Sequence, residues 1–156
     1  MKSKKILWAL CIMVVSLPLL AGGPPKTFVP AGGKNATSGY NPSASILIRP
    51  GLSYDKAFAA VAAVCSRHAA LDMIQKDSGY MRTSWQHAWN KKNKPDGKYR
   101  IRIICTVHMD GSAVEVKVEA GVLENKKKDR WIPGSDSEAL KAILNEINDA
   151  VGVTGV

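Results

Sequence analysis

From Ile46 onward the chain alternates between two hydrophobic periods, and these set out most of its elements. Ile46-Leu47-Ile48 is a short apolar run stopped by Pro50-Gly51, which predicts a strand and a turn. Phe58, Val61, Cys65 and His68 then recur at helical spacing, with Ala57 and Val64 beside them. Ser53 stands where a helix N-cap belongs, and Asp55 falls in the first turn, where the helix dipole favours an anion. Alanines at 59, 60, 62, 63, 69 and 70 keep this helix slim enough to lie close to a sheet. Period two takes over afterwards. Leu71 to Lys76 reads as a strand, Asp77-Ser78-Gly79 as its turn, and Tyr80 to Trp85 as the return, with Met81, Thr83 and Trp85 on one face.

A polar stretch with a Pro-Asp-Gly turn, Asn90 to Lys98, separates this hairpin from the clearest strand in the chain. There Tyr99, Ile101, Ile103, Cys105 and Val107 alternate with Arg100, Arg102, Ile104, Thr106 and His108. Asp110-Gly111 turns into Val114, Val116, Val118 and Ala120, which alternate with Glu115, Lys117 and Glu119. A basic tip, Asn125 to Arg130, follows. Ser135 and Glu138 form a capping box for a last helix, whose stripe is Leu140, Ile143, Ile147 and Val151 up to Gly152. The expected order is strand, helix, four antiparallel strands, helix: an α+β domain over 46–152 with both helices on one face of the sheet. Residues 153–156 are a short tail.

The first 45 residues follow neither period. Lys2, Lys4 and Lys5 precede an apolar run from Ile6 to Ala21 that ends in small residues, the layout of a secretory signal peptide over 1–23. The run falls short of the roughly 20 residues a spanning helix needs, so a retained anchor is the weaker reading. Cys11 sits inside the apolar run after Leu10, which disfavours lipidation. Residues 24–45 are rich in Gly, Pro and Ser and read as a flexible tether. The expected location is therefore the periplasm or the periplasmic face of an outer membrane.

Charge narrows the choice of partners. The whole chain carries +9, and loss of the three signal lysines leaves +6. An anionic partner is favoured, either an acidic protein face or an acidic lipid surface. Nucleic acid is not expected for an exported chain. Arg82, Arg100, Arg102 and Lys117 alternate away from the core and so share the solvent face of the sheet. Lys91, Lys92, Lys94 and Lys98 crowd one loop, with Trp89 beside it; Lys126, Lys127, Lys128 and Arg130 crowd another, with Trp131 beside it. The expected contact surface is this face with Trp89, Lys91 and Lys92. A plainer alternative has Glu115 and Glu119 pairing with the arginines across strands.

Three cysteines exclude a disulfide-dense scaffold. Cys65 lies on the apolar stripe of the helix and Cys105 on the apolar face of a strand, which makes them a disulfide candidate in an exported protein. Two reduced thiols packed as small apolar groups are the alternative. Cys65-Ser66-Arg67-His68 and Cys105-Thr106-Val107-His108 also invite a zinc reading, or a hydrolase built from Cys65, His68, Cys105 and His108. On a strand, however, residues three apart face opposite ways, so Cys105 and His108 do not converge. No nucleophile elbow, phosphate loop or dinucleotide turn is present in the sequence, and no catalytic residue, metal or cofactor is assigned.

These residues resemble a known family. Leu52 to about Glu124 is similar to the repeated domain of the BamC lipoproteins, accessory subunits of the outer-membrane β-barrel assembly machinery. The similarity rests on the helix, on IQKDSGYMRTSW (Ile74 to Trp85), on YRIRIICTV (Tyr99 to Val107) and on SAVEVKVEA (Ser112 to Ala120). Asp77, Gly79, Thr83 and Trp85 match the family's spaced Asp, Gly, Thr and Trp. The resemblance implies a helix-grip fold, a curved antiparallel sheet around a long helix. It also implies a non-enzymatic binding or scaffolding role in an envelope protein complex, with outer-membrane assembly subunits as candidate partners. BamC proteins carry a lipid and two such domains, whereas this sequence has no lipobox and one domain. The alternative is a secreted protein that binds metal or acts as a hydrolase through Cys65, His68, Cys105 and His108, or one that holds a small ligand between helix and sheet, as the resemblance to helix-grip folds allows.

Overall fold

A computed structural model describes residues 28–31, 43–89, 95–125 and 129–153, with Ala88, Trp89, Pro95, Asp96 and Asn125 placed by their backbone only. The expected signal peptide, most of the tether, Lys91, Lys92 and the last three residues lie outside the described residues. Among the described residues no helix is long and apolar enough to cross a membrane.

The chain is α+β, with one antiparallel sheet of eight strands and two helices. The elements are β1 (Phe28–Pro30), β2 (Ser43–Leu47), α1 (Tyr54–His68), β3 (Leu71–Gln75), β4 (Tyr80–Thr83), β5 (Gln86–Trp89), β6 (Pro95–Val107), β7 (Ala113–Asn125), β8 (Arg130–Asp136) and α2 (Ser137–Val151). The two longest strands, β6 and β7, pair from Tyr99–Val122 to Val107–Val114 and form the middle of the sheet. Along the far side of β7, β2 and β8 lie end to end; along the far side of β6, β4 and β5 do the same. β3 extends the sheet beyond β4, and β1 extends it beyond β8.

Alternation on the central strands gives the sheet one apolar face. Ile103, Cys105 and Val107 of β6 and Val114, Val116 and Val118 of β7 are all 2% exposed or less. Phe58, Val61, Val64 and Cys65 of α1 and Ile143, Ile147 and Val151 of α2 close over them. Burying one such aliphatic side chain stabilises the fold by about 1.5–3 kcal/mol, so this layer is the main source of stability.

The structure departs from the expected order in four places. The tether contributes β1 and the start of β2, because Phe28–Pro30 pairs with Asp136–Gly134 and Ser43–Ser45 with Lys117–Glu115. Residues 130–136, which contain Pro133 and Gly134 and look like a loop, form β8; proline is tolerated here because its carbonyl faces β1 and accepts from Ala31 N–H at 2.8 Å. The cap of α2 is Asp136, not Ser135: its Oδ1 accepts from the amides of Glu138 at 3.0 Å and Ala139 at 3.2 Å. Ser135 is held in the ladder opposite Glu119 and Val29, which leaves the next residue to cap. Tyr99 then donates its hydroxyl proton to Asp136 Oδ2 at 2.5 Å, tying β6 to the start of α2, and burial pushes that phenol well above its ordinary value.

The fourth departure concerns Trp85. β4 pairs with β6 in the register Met81–Cys105 and Arg82–Ile104, but β5 resumes at Gln86–Ile101 and His87–Arg100. One extra residue is inserted between the two ladders, and a one-residue slip reverses which face each side chain takes. Met81 and Thr83 are buried as expected, with Thr83 Oγ1 accepting from Ile103 N–H at 2.9 Å, whereas Trp85 stands on the opposite face against Arg100 and Arg102.

Gly79 ends a 3-10 turn over Lys76–Ser78 in the left-handed region, φ +70°, and accepts from Val107 N–H at 2.9 Å. A Cβ built there would lie 1.9 Å from Val107 O. Gly79→Ala should therefore cost at least about 1–2 kcal/mol for the left-handed backbone alone, with the overlap added. Chemical denaturation would read this as a lowered midpoint; an unchanged midpoint would contradict the turn geometry.

Candidate functional site on the outer sheet face

The face of the sheet away from the helices carries Arg100 and Arg102 on β6 and Lys117, Glu119 and Gly121 on β7. The register sets Arg102 opposite Glu119 and Arg100 opposite Gly121. Arg102 donates through Nε to Glu119 Oε2 at 2.7 Å, and Lys117 Nζ lies 2.8 Å from Glu119 Oε1. One carboxylate thus serves two cations. Burial pushes Glu119 upward, but the hydrogen bonds and charges of Lys117 and Arg102 more than offset this and hold it below the usual carboxylate range. On the neighbouring strands Arg82 makes a two-pronged contact with Asp72, Nε to Oδ1 at 3.0 Å and Nη2 to Oδ2 at 3.2 Å, which raises its already high pKa.

Arg100 is treated differently. Its guanidinium carbon lies 4.3 Å from the Trp85 ring centre and 3.8 Å from that of Trp131, so indoles cover the group. Arg102 lies 4.5 Å from the Trp85 ring as well. Gly121 lies directly beneath both groups, where a Cβ would meet Arg100 Nε and the Trp131 ring at 3.4 Å. Trp131 is oriented by its own N–H, which donates to Asp129 Oδ1 at 3.0 Å. His87, opposite Arg100 on β5, packs edge-on against Trp131 at 5.9 Å. Arg100 has no acid partner among the described residues, and its buried Nε lacks a hydrogen-bond acceptor, as does the buried Nδ1 of His87. Burial lowers the pKa of Arg100, with Arg102 acting in the same direction and Asp129 against it.

The structure therefore brings together Arg82, Arg100, Arg102 and Lys117 on one face, as their alternation predicts, but three of the four are matched by acids. Glu119 is a cross-strand partner, whereas Glu115 has no ion pair among the described residues. Trp85 joins the face through the bulge. His87, Gly121 and Asp129 were not foreseen as members. The register of a strand pair could have placed His87 and Gly121, but the bulge before β5 hides that register from the sequence.

The other candidate residues separate. Cys65 and Cys105 are both buried thiols whose Sγ atoms are 3.6 Å apart between α1 and β6. Hydrogen bonding to Cys105 lowers the Cys65 thiol, and the same contact, with burial, raises that of Cys105. His68 lies toward α2, its Nε2 3.0 Å from Glu146 Oε1 though not aligned as a hydrogen bond. His108 is exposed beside the Asp110-Gly111 turn. The two C-x-x-H units thus share their sulfurs but not their imidazoles. Among the described residues no group of three His, Cys, Asp or Glu side chains is arranged to hold a metal.

Neither the family models nor the curated proteins compared with this chain match it.

The position of Glu119 makes the stability of the sheet pH-dependent. Its contribution is present in full above the unfolded-state value of about 4.3 and is lost as pH falls through the lower folded value. Between about pH 6 and about pH 3 the native protein should lose more of its urea midpoint than Glu119→Gln does. Equal losses would show that Glu119 titrates as an ordinary surface carboxylate.

Proposed function

We propose that the chain is a non-enzymatic exported envelope protein, a binding or scaffolding module of the BamC-like helix-grip kind, whose contact surface is the outer sheet face. The observation that carries this reading is the Trp85–Arg100–Trp131 stack. A cation covered by two indoles on the sheet face away from the helices, with no acid partner among the described residues, is costly to maintain for solubility alone. Tryptophan and arginine are also the residue types that dominate binding energy at protein interfaces. An antiparallel sheet with α1 laid on one face is the coarse arrangement that a helix-grip domain requires. The basic and apolar N-terminal sequence supports export, and the placement of His68 beside Glu146, with His108 exposed and both thiols buried, argues against a cysteine hydrolase.

The partner is an acidic face of an envelope protein complex, with outer-membrane assembly subunits as first candidates. Crosslinking in native envelope fractions, with tagged protein and the reversals Arg82→Glu, Arg100→Glu and Arg102→Glu, tests this. Assembly subunits should be captured by the native protein and lost in variants whose circular dichroism shows an intact fold. Capture of no specific partner would overturn the assignment.

Export also bears on the cysteine pair. In an oxidising compartment, thiol–disulfide exchange with a disulfide-bearing oxidant would join Cys65 to Cys105, releasing two hydrogens to the oxidant as thiols. The bond would tie α1 to β6 and stabilise the fold by about 3–4 kcal/mol in the chain-entropy description. Protein isolated from the envelope should have an intact mass lower by two hydrogens than its reduced form. Alkylation of both thiols in unreduced, denatured protein would rule the bond out.

A further inference from the structure

Resting on that reading of the outer face, we infer that Arg100 is the receptor for a single carboxylate carried by an acidic segment of the partner protein. The argument begins with what is already taken. Arg82 is bound to Asp72, and Arg102 and Lys117 share Glu119, so each of these three cations already touches an acid. Arg100 alone of the four has no acid within ion-pair distance among the described residues. Asp129, the acid that acts on it through space, is engaged by the Trp131 N–H.

The geometry then selects the ligand. Indoles at 4.3 and 3.8 Å stack on the guanidinium, which leaves its edge as the direction of approach. Along that edge the N–H donors form a planar fork that matches a carboxylate in the same plane. Nε is buried over Gly121 and closed to an incoming group, so the terminal Nη1 and Nη2 donors are the ones a carboxylate would meet. His87, opposite Arg100 in the β5–β6 ladder, also has a buried Nδ1 without a partner. Arg100 itself brings a single positive charge, which one carboxylate neutralises. The flanking indoles give the neighbouring side chains of an acidic segment an apolar seat.

Nuclear magnetic resonance of 15N-labelled protein expressed from the full chain tests the inference. The probes are a capped Gly-Glu-Gly tripeptide, its Gly-Gln-Gly counterpart and inorganic phosphate, all at one ionic strength. The Glu peptide should shift the Arg100 Nε–H and Trp131 indole N–H signals saturably, and the Gln peptide should not. Arg100→Lys keeps the charge but loses the fork, and should weaken binding about tenfold or more. No localised shift, equal shifts from both peptides, or tighter binding of phosphate would each overturn the inference. The same Arg100→Lys protein in the envelope crosslinking separates the two readings. Capture that survives it, without peptide binding, removes the carboxylate site and leaves the partner assignment. Peptide binding without any captured partner does the reverse.

Discussion

The pairing of β6 with β7 is the constraint on which the rest of the structure depends. A ladder running from Tyr99–Val122 to Val107–Val114 decides at each step which side chain joins the core and which joins the outer face. Val116 and Cys105 go inward together, as do Ile103 and Val118; Arg102 and Glu119 go outward together. A one-residue slip of β6 would turn Arg100 and Arg102 inward and Ile103, Cys105 and Val107 outward. Burial of the valine-rich face therefore holds the outer face in register as firmly as the core. The outer cations inherit their positions from a hydrophobic pattern to which they contribute nothing.

Each interruption of this ladder is tied to the chemistry of one edge. On the β6 side the inserted residue between β4 and β5 ends one register and begins another, and Trp85 changes face as a result. On the β7 side the end-to-end arrangement of β2 and β8 brings Trp131 over Gly121. The two tryptophans come from strands on opposite sides of the central pair and meet over one arginine. The bulge adds no core residue at Trp85, whereas β2 adds Ile46 to the core. Both interruptions are needed to enclose Arg100.

Regular alternation made the central pair, both helices and the Gly79 turn legible, because each is a long apolar stripe or a glycine in a fixed turn. Arg82, Arg100, Arg102 and Lys117 could be assigned to one face for the same reason. What stayed hidden depends on pairings between distant segments. Phe28–Pro30 carries too little pattern to read as a strand, and only its pairing with β8 makes it one. Pro133-Gly134 looks like a turn, yet edge pairing holds it extended, and the strand then takes Ser135 away from the capping role its spacing suggests. Trp85 follows the alternation of β4 in the sequence, and a bulge that no local residue announces sends it to the other side. The cysteines were placed correctly in one core, whereas their histidine neighbours were separated by the different periods of helix and strand.

The contrast between Arg102 and Arg100 shows how the outer face divides structure from binding. The two lie two residues apart on one strand and share the Trp85 ring, yet Arg102 faces a carboxylate on β7 and Arg100 faces a glycine. A glutamate at 121 would have completed a second cross-strand pair, since sheets favour opposite charges in that position. Glycine instead leaves Arg100 without a cross-strand acid, its Nε and the Trp131 ring resting over bare backbone. A surface selected only for solubility would gain nothing by removing water from an arginine while denying it an acid. Half-burying the cation also strengthens its attraction for any anion that reaches its edge, because less water remains to screen the contact. The arginine with no internal partner is thus the one most prepared to accept an external one.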